Sequence, residues 1–358
     1  MKGLAMRARG ASTRTPPAHR LLLASAAWLF LGQAAAQASA QYEPEPDDIV
    51  IEETQEPSEP LLRNSREVAL PINEGPWANT KSLNAELPDP ARCVPGILRA
   101  HVKIDFLNAF NALRALHGLA PVRYNASADQ AVAEAALLMA ANNALSHDPP
   151  PSWACWTAAG AAAAGSSNLL GGVSSPYLAY EDNTAMLAEW LIEGDGDELG
   201  HRRWLLDPYL DQTTLGRVIT VQPGGVRVDS AAMKVFDFPQ ETAERHHAQT
   251  AAPSFVAWPQ GDYPAYFFSP HARLSFSASQ DADVLAKVDF ADAKVIISDL
   301  ERSLPVRDQR WDNEEFGVSN CLSWRVDGIV PGKTYHVTIN GIRGAPKSSY
   351  TYAFRITD

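Results

Sequence analysis

The chain is poor in cysteine, short of positive charge and free of any long unbroken hydrophobic run, and each shortage excludes a class of protein. Three cysteines in 358 residues rule out a disulfide-dense small scaffold. Thirty basic side chains against 42 acidic ones give a formal net charge of −12. Nucleic acid and anionic membrane surfaces both demand basic patches, so neither is expected as a partner. The apolar run Leu21 to Leu31 is shorter than the roughly 20 residues that a spanning helix needs, so the mature protein is expected to have no membrane span. No His-Glu-x-x-His and no Gly-x-Ser-x-Gly string occurs, which removes the commonest hydrolase signatures. The string Gly328 to Thr334, GIVPGKT, is one residue short of a phosphate-binding loop, and its Pro-Gly turn leads into a strand pattern rather than a helix.

What is present begins with a leader. Residues 1–40 carry Lys2, Arg7, Arg9, Arg14 and Arg20 and no acid, then the apolar run, then small residues offering Ala38-Ser39-Ala40 for cleavage. That pattern predicts a secretory signal peptide and an extracellular or periplasmic protein. Removing its five cations takes the net charge from −12 to −17. Residues 41–80 follow as an acidic, proline-rich linker, with Pro44, Pro46, Pro57 and Pro60 among Glu43, Asp47, Glu52 and Glu56. Such a segment has too little apolar surface to offset the entropy of ordering it and is expected to be disordered.

From Ile97 the pattern turns helical: Ile97, Leu98, Val102, Phe106, Leu107, Phe110, Leu113 and Leu116 recur at helical spacing until Gly118. A second helix is predicted from an N-cap at Ser127 to about Asn143, burying Val132, Ala136, Leu137, Met139 and Ala140, and a third over Thr184–Ile192. Arg217–Gln222, the turn Pro223-Gly224-Gly225 and Val226–Asp237 read as a β-hairpin. A polar connection, 240–253, then leads to short alternating segments over 254–358: Leu274–Ser277, Val284–Phe290, Lys294–Ser298, Leu322–Val326, Tyr335–Ile339 and Tyr350–Ile356. With Pro331-Gly332 and Asn340-Gly341 as turns, this predicts an all-β sandwich of immunoglobulin-like type. Trp258, Tyr263, Tyr266, Phe267 and Phe268 cluster where it begins and are expected to pack between the two domains.

The helical segment carries an ordered set of marks. Asn111, Arg114, Gly118, Leu119 and Pro121 lie in NALRALHGLAPV, His147 in LSHDPP, Asn168 and Leu169 in GSSNLLGG, then come Trp190 and Glu193, and His201 in GHRRWLL. In this order they resemble the CAP superfamily, also called SCP/TAPS, in its bacterial branch. The resemblance covers about 140 residues and implies an α/β fold, a CAP-type α-β-α sandwich over 95–239. It also implies a cavity lined by two histidines and two acids that in some members binds a divalent metal. His147 and His201 match the histidines and Glu193 resembles one acid. The second departs: Ser167 stands where the family usually has Glu in Gly-Glu-Asn-Leu. Asp195, Asp197 and Glu198 follow closely enough to be alternative acids.

A cleft lined by His147, Ser167, Glu193 and His201 is therefore expected, with His147, Glu193 and His201 as candidate ligands for a divalent ion such as zinc. The bland reading makes both imidazoles hydrogen-bonded structural groups. The histidines His246 and His247 fall in the connection, where solvation is the simpler fate. Cys93 and Cys155 border the same domain, whereas Cys321 lies in the strand-rich one, so a Cys93–Cys155 bridge is predicted. The favoured reading is a binding protein holding a small apolar, lipid- or sterol-like, or metal-linked ligand. The alternatives are a metal-dependent extracytoplasmic hydrolase or peptidase, and an adhesion module that contacts a cell-surface component.

Overall fold

The computed structural model describes residues 83–174, 182–194, 199–222, 226–238, 253–279, 287–314, 316–318 and 320–358. The leader, the acidic linker, the hairpin turn 223–225 and residues 240–252 of the connection lie outside the described residues.

Strands β1 (Asn84–Glu86) and β2 (Ile97–Leu98) pair antiparallel ahead of the first helix. The expected helical start at Ile97 is thus a strand. Pro95 and Gly96 turn the chain there, and Gly96 sits at φ +74° where an added Cβ would meet Glu86 O at 2.6 Å, so the next two residues leave extended against β1. Helix α1 (Ala100–Leu116) buries Val102, Phe106, Phe110 and Leu113 and stops at His117, with Gly118 in the left-handed region.

After β3 (Arg123–Tyr124) the cap of the second helical segment is Asn125 rather than Ser127. Its side chain accepts the Ser127 N–H at 3.0 Å and opens a short 3₁₀ turn that runs into α2 (Asp129–Asn142). The predicted buried face of α2 is buried, and Ala135 and Leu138 join it. Helix α3 (Ala158–Gly165), which the periodicity did not predict, is capped by Thr157 accepting the Gly160 N–H at 2.9 Å. Strand β4 (Ser167–Ser174), helix α4 (Asn183–Ile192), the short α5 (Gly200–Leu205) and the hairpin strands β5 (Gln212–Gln222) and β6 (Val226–Lys234) complete this half.

The sheet runs β3-β5-β6-β4, and alternate residues divide its two faces. Val218, Val228 and Ala232 pack with α2 and α3, while Leu215, Ala231 and Met233 join α1 and α4. Helices therefore cover both faces, as an α-β-α sandwich. At Gly216 an added Cβ would lie 2.2 Å from Val132 O, so α2 approaches the sheet too closely for any side chain there.

The second half contains β7 (Phe255–Trp258), β8 (Gly261–Pro264), β9 (Leu274–Ala278), β10 (Lys294–Ser298), β11 (Ser303–Leu304), β12 (Val306–Asp312), β13 (Cys321–Val326), β14 (Thr334–Asn340) and β15 (Ser349–Thr357). They form a five-stranded sheet, β11-β10-β14-β15-β8, and a four-stranded one, β12-β13-β9-β7. All described pairs in both are antiparallel except β15 with β8. Rings of Phe255, Phe276, Phe290, Tyr350 and Tyr352 meet between the sheets, with Phe276 and Tyr350 at 5.1 Å. The expected strand at Val284–Phe290 falls partly outside the described residues, and Asp289 makes an isolated bridge with Arg343.

One apolar core runs without a break from α1 and α4 into the strand-rich half. Of the aromatic cluster expected to pack there, Trp258, Tyr263 and Phe267 are buried whereas Tyr266 is exposed, and the Nδ1–H of His117 donates to Ala257 O at 2.9 Å while its Nε2 accepts from the Tyr263 hydroxyl at 3.0 Å. That bond to a carbonyl fixes the Nδ1–H tautomer. Burial pulls His117 down to about 3. Cys93 and Cys155 are bridged, closing a separation of 62 residues, and Cys321 is free and buried, which pushes its thiol up to about 11.

Candidate functional site

Glu193 ends α4 in the left-handed conformation, φ +54°, a position where glycine or asparagine is usual and a carboxylate-bearing residue costs strain. The side chain explains why the strain is tolerated. Its Oε1 accepts the His201 N–H at 2.9 Å, its Oε2 accepts the Arg202 N–H at 3.3 Å, and so the carboxylate caps α5 across the intervening turn. Oε1 also lies 3.2 Å from His201 Nδ1, an orienting contact for that ring.

His147 reaches the same place from the loop after α2. Its Nδ1 lies 3.0 Å from Ala164 O, at the end of α3, and its ring centroid is 6.5 Å from that of His201. His147 is exposed and His201 partly so, and among the described residues neither Nε2 has a hydrogen-bond partner. Asn168 on β4 donates to His201 O at 3.1 Å and ties the edge strand to α5. Trp190 donates from its indole to Leu169 O at 3.0 Å, fixing α4 to the same strand.

Ser167 is buried on β4 opposite Lys234, and its hydroxyl has no partner among the described residues. Its neighbour Ser166 accepts from Lys234 Nζ at 2.7 Å. Leu145, two residues before His147, is exposed and lies against Gly171 of β4, where an added Cβ would meet its Cδ2 at 2.9 Å. An exposed apolar side chain thus sits on the strand that carries Ser167.

Residues 107–220 match the model of CAP, the cysteine-rich secretory protein family. The protein carries a CAP domain. Among solved structures, an outer surface protein from Borrelia burgdorferi aligns at 11% identity over 38% of this chain and 95% of its own length. Its TM-score is 0.25, which carries no argument about this chain. No curated protein matches this chain.

In this CAP domain the ring of His201 lies near both the His147 ring and the Glu193 carboxylate. Among the described residues no three His, Cys, Asp or Glu side chains are grouped so as to hold an ion. Each oxygen of Glu193 accepts one amide of α5. The donor set is two imidazoles, and Ser167 supplies no carboxylate. Asp195, Asp197 and Glu198 lie outside the described residues.

Two further groups brace His201: Asn168, which the sequence marked without a role, and Arg202, which it did not single out. Asn168 stands inside the GSSNLLGG string and Arg202 inside GHRRWLL, so the motifs themselves were the signal. Only the structure shows that one holds His201 by its carbonyl and the other by its neighbouring helix turn.

Proposed function

We propose that this is an exported binding protein whose CAP cleft holds a small amphipathic ligand, with the imidazoles facing its polar head and Leu145 its apolar body. The observation that carries this reading is the pair of solvent-accessible imidazoles, each anchored through Nδ1 and each with an Nε2 that has no partner among the described residues. A purely structural histidine would have both nitrogens engaged, as His117 has. In this reading residues 1–40 are removed on export, 41–80 form a tether, 95–239 the CAP domain and 254–358 the sandwich. Among the described residues no helix is long and apolar enough to cross a membrane.

The test is mass spectrometry of small molecules extracted from the purified protein and from the His147→Ala/His201→Ala double variant. A species retained by the first and lost by the second supports the cleft. A species retained equally by both moves the contact to the sandwich, as an adhesion module would have it.

Zinc bound by His147, Glu193 and His201, as a metal-dependent hydrolase requires, is the second reading, favoured by the Glu193–His201 contact. Glu193 would then ligate the ion through an oxygen that also accepts an amide of α5. Calorimetry with zinc decides it, and Ser167→Glu, which restores an anionic donor on β4, should tighten binding if that residue faces the ion.

A further inference from the structure

Arg202, the residue after His201, joins the cleft to the β-sandwich. It is fully buried, and among the described residues its guanidinium meets backbone carbonyls, one hydroxyl and one aromatic ring. Nε donates to Leu191 O at 2.6 Å and one terminal nitrogen to Ile192 O at 3.0 Å, both at the end of α4. The other terminal nitrogen donates to Arg273 O at 2.7 Å and Ser275 Oγ at 3.2 Å, at the start of β9. The guanidinium carbon stands 3.9 Å from the ring centroid of Trp258 on β7. One side chain thus fastens the last turn of α4 to two strands of the sandwich, while its own N–H is held by Glu193.

Glu193 and His201 sit at the two ends of the turn between α4 and α5. Beside Gly194, just past the end of α4, a cavity of about 570 Å³ is lined from the strand-rich half by His271, Arg307, Arg325 and Asp327. The fork of Arg202 bonds joins the end of α4 directly to the start of β9. Simple cohesion between the two halves would be served by apolar side chains at lower desolvation cost than a buried guanidinium.

We propose that the β-sandwich is the positioning scaffold of the CAP cleft and that Arg202 is the positioning residue through which it acts. The carbonyl of Arg273 and the face of Trp258 orient the guanidinium. The guanidinium fixes the carbonyl end of α4, and Glu193 is thereby held in reach of the amides of His201 and Arg202. A lysine cannot reproduce this, since it lacks the planar fork that reaches carbonyls on both sides at once. The proposal rests on the cleft being the functional site, but its test needs no ligand, so a failure to find one would not be mistaken for a failure here.

The test is residue-resolved amide hydrogen exchange on the full chain carrying Arg202→Lys, with Ser275→Ala as the milder change made wholly within the sandwich. The amides of His201 and Arg202 should exchange at least about ten-fold faster in Arg202→Lys and about two- to three-fold faster in Ser275→Ala. The amide of Val235, bonded to Ser166 O at 3.0 Å where β6 ends beside β4, should keep its rate in both. Equal acceleration at all three amides would mean that Arg202 only stabilises the fold, and no change at His201 would mean that the sandwich does not position the cleft. Either overturns the proposal. Should Arg202→Lys fail to fold, the Ser275→Ala rates decide alone.

Discussion

His117 and the cleft pair His147 and His201 are the same side chain put to opposite uses. His117 is sealed between α1 and the sandwich with both ring nitrogens bonded, one to Ala257 O and one to Tyr263. The cleft rings reach solvent and are bonded through Nδ1 alone among the described residues. The guanidinium groups follow the sealed pattern: Arg114, fully buried, donates to the carbonyls of Ala120, Leu205, Asp207 and Leu210. At the junction, then, polar groups are consumed by the fold. At His147 and His201 one ring nitrogen stays without a partner among the described residues, the capacity on which the proposed ligand would draw. If that contrast is right, changes at the junction and its braces act on stability, and changes in the cleft act on binding.

The largest effect is expected from the brace on the cleft side. Cys93–Cys155 ties the segment after the His147 loop to the chain before α1. Opening it as Cys93→Ser/Cys155→Ser should cost about 4 kcal/mol on the chain-entropy relation for a loop of this length, read by denaturant unfolding. A loss as small as that of a surface substitution would show that the loop is held by its polar contacts instead.

The next effect is pH-dependent and belongs to His117. Burial, helped by the nearby Arg202 and Arg114 charges, depresses it to about 3. The folded protein therefore binds fewer protons than the unfolded chain, whose histidine has a value near ~6.5. Its contribution is complete above that pH and is lost as pH falls toward the folded value. Between pH 7 and 5 this amounts to about 2 kcal/mol, and His117→Gln should lack that part of the slope. Parallel stability curves for the two proteins would contradict the sealed environment.

The smallest effect on stability is expected in the cleft. His147→Ala/His201→Ala should change unfolding free energy by less than about 1 kcal/mol, since the rings reach solvent and few buried partners are stranded. A loss of several kcal/mol would make these histidines structural and erase the contrast with His117.

Much of this contrast was legible in the sequence, and the rest was hidden for physical reasons. The helical periodicity of Val102, Phe106 and Phe110 pointed to α1 because local pattern determines a helix, whereas the grouping of the histidines was suggested only by the resemblance of their ordered motifs to the CAP superfamily. Asn125 displaced Ser127 as cap because a 3₁₀ turn was inserted before α2, a choice of one or two residues that propensity does not fix. Helix α3 reads as a featureless alanine run, and its sidedness appears only once α2 and the sheet lie against it. Strand β12, Val-Arg-Asp-Gln-Arg-Trp-Asp, is an exposed edge strand and so carries no alternation to detect. The role of Arg202 was out of reach, because its partners are carbonyls 71 positions away and at the end of the preceding helix, and a carbonyl leaves no mark in a sequence.

Whether the cleft histidines are kept open for a ligand is tested most directly by carbethoxylation mapped by mass spectrometry. The protein would be compared as purified from exporting cells and after extraction with organic solvent and return to buffer. His147 and His201 are expected to be protected in the first state and to become reactive in the second, while His117 stays unreactive in both. Reactivity at His147 and His201 that extraction leaves unchanged, or modification of His117 in the folded protein, would contradict the account.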